Sequence, residues 1–150
     1  MFKGRYNHTV DGKGRTSLPA RFRETVAAEG NDRVVLTFAL DSQYPHLDVY
    51  PFGRWNEFEQ KLAQKPTFDE NVILLKRFYV ANAVECPVDG HGRILIPATH
   101  RTYGDIGEDA TWVGMNKIIE LWNPQRWDAA QAEALANLAE IRKGLASFDL

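Results

Sequence analysis

Cysteine is nearly absent from this 150-residue sequence, which contains only Cys86. A single cysteine cannot form an intrachain disulfide and cannot supply a cysteine-rich zinc site. Long hydrophobic runs are absent too: the first residues lack the apolar stretch of a secretion signal, and segments such as 34–40 are too short to span a bilayer. We therefore expect a cytoplasmic protein without a membrane partner.

The chain as a whole also lacks a large excess of either charge, since its formal net charge is -2. Residues 1–23 are nevertheless strongly basic, because six basic side chains stand there against the single acid Asp11. The six are Lys3, Arg5, Lys13, Arg15, Arg21 and Arg23. Nucleic-acid binding requires a local basic patch of this kind. A solvated basic face would look the same, and charge alone favours that plainer interpretation.

The sequence also lacks the three or more stacked repeats of a solenoid protein, but it contains one long repeat. Residues 10–23 (VDGKGRTSLPARFR) and 88–101 (VDGHGRILIPATHR) are identical at eight of fourteen positions. Farther along, residues 47–56 align with 119–128 at an offset of 72, so the first copy has gained six residues, which we place in a loop at 41–46. Two copies predict two halves that are related by a pseudo-twofold axis and bury their apolar faces on each other.

Both copies have the same order of predicted elements. A β-rich run reaches an Asp-Gly pair, which is a strong hairpin signal, and a strand continues from Arg15 or Arg93. Pro19 and Pro97 then open a short helical turn, because proline fits the first helical position. Two further strands follow in each copy, near 33–40, 47–50, 111–115 and 118–122.

Predicted helices close both copies and join them. One begins at Pro51, and the other begins at Pro124 with Asn123 as its N-cap. Between the copies, Thr67 and Glu70 form a capping-box pattern, so the connector is predicted to be a helix rather than a flexible tether. The segment 129–145 also has a helical pattern.

The two Asp-Gly loops carry the most specific chemistry in the sequence. Gly12 and Gly14 suit a tight tip whose residues adopt positive φ. Lys13 and Arg15 are then expected to project beyond the sheet, where arginine can contact a phosphate or both O6 and N7 of guanine. Asp11 is assigned an orienting role, because a free carboxylate would repel phosphates. A plain hairpin tip would explain the glycines but not the recurrence of arginine in both copies.

Other functional classes find little support. A phosphate-binding P-loop needs Ser or Thr after its Gly-Lys, and an EF-hand needs carboxylates where Lys13 and Arg15 stand. No serine or cysteine lies in a nucleophile motif. The four histidines show no metal-ligand spacing; they are His8, His46, His91 and His100. We expect no enzymatic activity, catalytic residue, metal, cofactor or small-molecule substrate.

The two motifs resemble the AbrB-type core pattern, and two copies in a chain of this length resemble the MraZ family. The resemblance rests on Asp-x-x-x-Arg, in which Asp11 precedes Arg15 and Asp89 precedes Arg93, and on the Gly-Arg-x-x-x-Pro run in each copy. It implies an α+β fold, a pseudo-twofold double swapped-hairpin β-barrel with flanking helices. The organisation that we expect is a first half-domain over 5–53, connecting helices over 54–81, a second half-domain over 82–125 and a C-terminal helix over 126–150.

The same resemblance implies a sequence-specific, DNA-binding transcriptional regulator. Such proteins form homo-oligomeric rings on direct repeats in promoter DNA, and we expect a nucleoid-associated repressor of its own division and cell-wall gene cluster. The expected DNA-binding residues are Lys13, Arg15, Arg93, His91, Arg5 and Lys3. The expected loop-shaping residues are Asp11, Gly12, Gly14, Asp89, Gly90 and Gly92.

The two loops are not expected to contribute equally. Where the first has Lys13 the second has His91, and histidine carries less positive charge than lysine near neutral pH. We therefore expect the first loop to bind DNA more strongly. The alternative function is an antitoxin-like protein-interaction module with coupled DNA binding. An antitoxin would usually carry a disordered toxin-binding tail, whereas 129–145 has a helical pattern.

Overall fold

Eight strands and six α-helices form from these patterns in the computed structural model, which describes residues 1–150. The strands are β1 (Arg5–Thr9), β2 (Arg15–Ser17), β3 (Arg33–Phe38), β4 (Leu47–Pro51), β5 (Val84–Pro87), β6 (Arg93–Leu95), β7 (Asp109–Met115) and β8 (Ile118–Trp122). The helices are α1 (Ala20–Gly30), α2 (Phe52–Ala63), α3 (Glu70–Leu75), α4 (Ala98–Gly104), α5 (Pro124–Ala136) and α6 (Leu138–Gly144). None of them combines the length and the apolar character that crossing a membrane requires.

Strand pairing interleaves the two halves. Six antiparallel strands form one sheet in the order β1-β7-β8-β4-β3-β5, and β2 pairs with β6 in a separate two-stranded ribbon. In the repeat, β1 to β4 correspond in turn to β5 to β8. If each strand is replaced by its counterpart, the order of the six-stranded sheet is the same read in reverse. The strand order therefore has the symmetry expected of two repeated halves, and its centre lies between β4 and β8.

The Asp-Gly loops do not join the two strands of a hairpin, so that prediction is wrong. The strands on either side of each loop pair instead with the opposite half: β1 with β7, β5 with β3, and β2 with β6. Turn residues indicate where the chain bends, but burial of apolar faces decides which strands pair. The six-stranded sheet keeps β1 and β5 as edges and does not close into the barrel that the resemblance implies.

One hydrophobic core is shared by the halves. Leu36 of β3, Val49 of β4 and Ile119 of β8 are fully buried in it, together with Ile94 of the ribbon and Phe22 of α1. Burying a side chain of this size stabilises the fold by roughly 1.5–3 kcal/mol. Separating the halves would expose this core, so the two copies are expected to fold as one unit.

A smaller cluster covers the opposite face of β3. Val35 packs there with Trp55 of α2 and with Tyr79 of a π-helical segment, Lys76–Val80, that continues α3. Trp55 and Leu62 are buried and form the inner face of α2. The connector is therefore packed against the sheet and is helical, as predicted.

Proline positions at the helix starts differ from prediction. Pro19, Pro51 and Pro97 occupy the N-cap position with extended ψ values of 137°, 140° and 150°, rather than the first helical position. An extended proline ends the preceding strand or loop, and the next residue starts the helix. The helix after Pro19 then runs for 11 residues, well beyond the short turn expected.

The side-chain caps are correctly predicted at one helix and wrongly at another. Asn123 caps α5 as expected, accepting from the backbone N–H of Gln125. The connector is capped by Asp69 and not by Thr67, because the Asp69 carboxylate accepts from the N–H of Asn71 at 2.9 Å. Thr67 lies in the turn before that helix, where its hydroxyl is too early in the chain to serve as the cap.

The C-terminal segment is helical, but it is not one helix. Asn137 interrupts it between α5 and α6, and a 3-10 turn, Ala146–Phe148, follows. No side chain of α5 or α6 is buried. The large apolar side chains left exposed on them are Leu135, Leu138 and Ile141.

Candidate nucleic-acid interface

Two loops meet the ribbon that β2 and β6 form. The first loop is residues 11–15, the second loop is residues 89–93, and each leads directly into one strand of the ribbon. Because Arg15 pairs with Leu95 and Arg93 pairs with Ser17, the two arginines begin opposite ends of the ribbon. One small unit, built from both halves, therefore carries both loops.

The Asp11 carboxylate organises the first loop. Its Oδ1 accepts from the backbone N–H groups of Lys13 and Arg15, both at 2.9 Å. Its Oδ2 accepts from Nε of Arg15 at 2.7 Å. The backbone closes the same turn, since Gly14 N–H donates to the Asp11 carbonyl at 2.9 Å. Asp11 thus both shapes the turn and orients the arginine, the two roles considered from the sequence.

The second loop repeats this network. Asp89 Oδ1 accepts from the N–H groups of His91 and Arg93 at 2.8 and 3.0 Å, and Asp89 Oδ2 accepts from Nε of Arg93 at 3.0 Å. The Gly92 N–H donates to the Asp89 carbonyl at 2.9 Å. Two loops with different central residues therefore reach the same geometry.

These hydrogen bonds keep both carboxyl groups ionised. The backbone N–H of Arg15, chiefly, lowers the pKa of Asp11 from 3.8 to about 2, and the N–H of Arg93 has the same effect on Asp89. The two arginine side chains stay about one third exposed, and only their Nε atoms donate within the chain. Their terminal amino groups remain available as paired donors.

Only one glycine in each loop is required by the backbone. Gly14 and Gly92 have φ of +89° and +76°, a region that residues with a β-carbon rarely adopt. Gly12 and Gly90 do not have positive φ, and open space surrounds the position of a β-carbon at each. The expectation of positive φ is therefore correct for the second glycine of each loop and wrong for the first.

An arginine from the opposite half braces each loop. A β-carbon at Gly14 would lie 2.7 Å from Nε of Arg101, and one at Gly92 would lie 2.7 Å from Nη1 of Arg23. Arg101 Nε also donates to the carbonyl of Ile96 at 3.1 Å. From the sequence, these two arginines were assigned no role in the site. Their equivalent positions in the repeat were the signal that could have identified them.

The remaining candidates are divided between the loops and the sheet edge. His91 is exposed in the second loop. Lys3 precedes β1 and Arg5 begins it, whereas the first loop follows the other end of that strand. Five strand residues span roughly 15 Å. The structure therefore does not bring Lys3 and Arg5 to the loop that contains Lys13.

Together, these features define a duplicated mixed α/β protein with an antiparallel sheet and two equivalent Asp-Arg loops. The chain belongs to the MraZ family. The family model described as "MraZ protein, putative antitoxin-like" matches residues 1–78 and again residues 79–148. The resemblance inferred from the motifs is thus confirmed, and the match extends through most of the C-terminal segment.

Full-length relatives agree with this assignment. The chain is 36% identical over 150 residues to the transcriptional regulator MraZ of Caldanaerobacter subterraneus subsp. tengcongensis, with all of both chains covered. It is 37% identical over 145 residues to the protein of that name from Desulforamulus reducens, covering 97% of each chain. It is 38% identical over 148 residues to that of Desulfitobacterium hafniense, covering 92% of this chain and 99% of the relative.

A solved structure shows only a weak likeness. A Pyrococcus horikoshii protein determined in solution overlaps 81% of this chain and 88% of its own, with a TM-score of 0.36 and 15% identity. This TM-score is too low to indicate a common fold.

Proposed function

We propose that this protein is a transcriptional regulator that binds promoter DNA through the first and second loops. The observation that carries the proposal is the duplicated Asp-Arg network, which fixes Nε of Arg15 and of Arg93 and leaves their terminal amino groups free. Paired donors of this kind match O6 and N7 of guanine, or two phosphate oxygens. The names of the relatives, transcriptional regulators, support the same role, which is binding rather than catalysis.

The loops are suited to binding because their order exists before DNA arrives. Asp11 and Asp89 already hold the arginines, so less side-chain freedom is lost on contact. Arg101 and Arg23 add positive charge beside the loops. Lys13 adds a further charge to the first loop and is exposed. A local concentration of positive charge attracts the phosphate backbone even though the chain as a whole is slightly acidic.

The proposal also includes the assembly of several chains into a homo-oligomer. One chain of net charge -2 presents only two such loops, so we expect it to hold DNA weakly alone. A homo-oligomeric ring would repeat the loops, and direct repeats in DNA would then be bound by several weak contacts at high effective concentration. The exposed Leu135 and Leu138 offer apolar surface for a second copy. In this scheme the protein acts at the nucleoid and represses its own division and cell-wall gene cluster.

A mobility-shift assay on the DNA immediately upstream of the protein's own gene tests the proposal. We expect the parent to shift this fragment at low salt and to lose affinity steeply as salt rises. Arg15→Ala and Arg93→Ala should each weaken binding, while Lys65→Ala, which removes one exposed charge outside the loops, should not. An unchanged shift in the Arg15→Ala and Arg93→Ala double variant would refute the loop assignment.

An antitoxin-like module is the second candidate, because the matching family description contains that term. The observation against it is the tail, which forms α5 and α6 instead of a disordered segment. Light scattering after gel filtration distinguishes the two candidates. A large closed assembly supports the ring-forming regulator, and a dimer supports the antitoxin-like module.

A further inference from the structure

A buried polar cluster lies where the two halves meet. Asp48 of β4 and Glu120 of β8 are directly opposite each other in the sheet, and they are equivalent positions of the repeat at the offset of 72. Like charges in directly opposed strand positions repel each other. The pseudo-twofold arrangement therefore brings together two carboxyl groups between which a cation would be stabilised.

His46, which immediately precedes β4, brings a nitrogen to this place. Its side chain is 6% exposed, and those of Asp48 and Glu120 are 12% and 14% exposed. Nε2 of His46 lies 3.1 Å from Oε2 of Glu120 and 4.0 Å from Oδ1 of Asp48. No protein atom completes a well-directed hydrogen bond to that nitrogen. The buried ring nitrogen thus faces two carboxylates and lies close to Glu120, but it has no well-directed hydrogen bond to either.

The orientation of the imidazole is fixed on its other side. Nδ1 of His46 lies 2.7 Å from the carbonyl oxygen of Tyr44. A carbonyl oxygen can only accept, so Nδ1 carries a proton, and in the neutral imidazole Nε2 holds the lone pair that can bind a cation. The ring also stacks on Trp122, with centroids 3.9 Å apart and planes 10° from parallel. The imidazole therefore has little freedom to turn away from the carboxylates.

The outer oxygen of each carboxylate is held as well. Tyr79 donates its hydroxyl hydrogen to Oδ2 of Asp48, and Trp122 Nε1 donates to Oε1 of Glu120 at 3.0 Å. The inner oxygens, Oδ1 of Asp48 and Oε2 of Glu120, face Nε2 of His46 and remain available to a bound ion. Hydrogen bonds from outer groups to the remote atoms of ligand side chains are a regular feature of metal sites.

We propose that His46, Asp48 and Glu120 bind one divalent transition-metal ion, with Zn²⁺ as the best-matched probe, between the two halves. Their ligand atoms all lie within 4.8 Å of one another. Atoms about 2.0–2.2 Å from a tetrahedral ion are roughly 3.3–3.6 Å apart, so small side-chain shifts suffice. Two carboxylates and a neutral imidazole balance a charge of +2. This inference does not depend on DNA binding, because the cluster is separate from both loops.

Titration of Zn²⁺ into the chelator-treated full chain, followed by calorimetry, tests the proposal. We expect saturable binding of one ion per chain and a rise in the thermal unfolding midpoint with Zn²⁺. His46→Gln and Glu120→Gln should abolish both effects, whereas His91→Gln, which removes an exposed imidazole, should leave them unchanged. Absence of saturable binding by the parent, or unchanged binding in His46→Gln, would overturn the proposal and leave His46 as an imidazolium between the carboxylates.

Trp122→Phe provides a sharper test because it preserves all three proposed ligands. The variant removes the hydrogen bond to Oε1 of Glu120 and leaves a smaller ring to stack on His46, and affinity for Zn²⁺ should fall by about 10–100-fold. Co²⁺ bound to the parent gives a readout that needs no variant, since visible absorption bands of tetrahedral intensity are expected. Equal Zn²⁺ affinity in a folded Trp122→Phe, or Co²⁺ with only the weak spectrum of the aqueous ion, would contradict the site.

Discussion

Arg101 lies against Gly14 of the opposite half, and the N–H of Ile96 donates to the Gly14 carbonyl at 2.9 Å. The second loop repeats the arrangement, because Arg23 lies against Gly92 and Leu18 N–H donates to the Gly92 carbonyl at 2.8 Å. Each loop is therefore supported by the half that does not contain it. The geometry of each loop therefore depends on the exchange of strands between the halves.

Gly14→Ala is expected to destabilise the fold by roughly 1–3 kcal/mol, because a residue with a β-carbon would be held at positive φ. The added carbon would also lie 2.7 Å from Nε of Arg101, which would have to move. Urea unfolding measures the loss. Gly12→Ala is the matched control in the same loop, since nothing lies within 4 Å of its β-carbon position. Equal losses in both variants would contradict this account of the loop.

The first loop is expected to contribute more to DNA affinity than the second. Arg15→Ala should therefore weaken binding more than Arg93→Ala, within the roughly 1–3 kcal/mol of a bidentate base contact. His91→Lys, which gives the second loop the residue of the first, should strengthen binding and steepen its salt dependence. Fluorescence anisotropy over a salt series measures both effects. A His91→Lys variant with the parent's affinity and salt slope would show that the second loop does not approach phosphate.

Features that depend on residues close together in the chain could be predicted from the sequence. The Asp11 to Arg15 pairing, the strands and the helix that starts after Asn123 all depend on neighbours a few positions apart. Turn residues, caps and periodicity report that local chemistry directly. Thr67 shows the limit even there, because Asp69 stands two residues later and is the better-placed cap.

Partners distant in sequence could not be predicted. Periodicity shows that β1 has an inner face, but it does not show that Arg5 pairs with Val113. The contact between Arg101 and Gly14 and the cluster around His46 have the same origin, since both join residues of opposite halves. The repeat marks Arg23 and Arg101 as equivalent positions, and likewise Asp48 and Glu120. Only the exchange of strands between the halves creates the contacts themselves.

The Asp11 carboxylate is expected to stay ionised far into acid. Its pKa is lowered from 3.8 to about 2, so the stabilisation that it contributes is present above the ordinary value and is lost as pH falls toward 2. Carboxyl carbon shifts in an NMR titration measure this directly. Arg15→Ala should raise the pKa only part of the way, because the largest cause is the backbone N–H of residue 15, which alanine keeps. Full return to 3.8 would show that the side chain dominates instead.

Cys86 is expected to be nearly inert toward thiol reagents in the folded chain. It is 3% exposed in β5, and burial raises the pKa of its thiol to about 11, so little thiolate exists near neutral pH. Labelling must then proceed through opening of the structure, at a rate proportional to the population of open molecules when opening and closing are fast. Gly14→Ala should therefore accelerate labelling by the factor by which it raises the unfolding equilibrium constant, and Gly12→Ala should not. Rapid labelling of the parent, unaffected by Gly14→Ala, would instead mean that the β5 edge opens locally while the shared core stays folded.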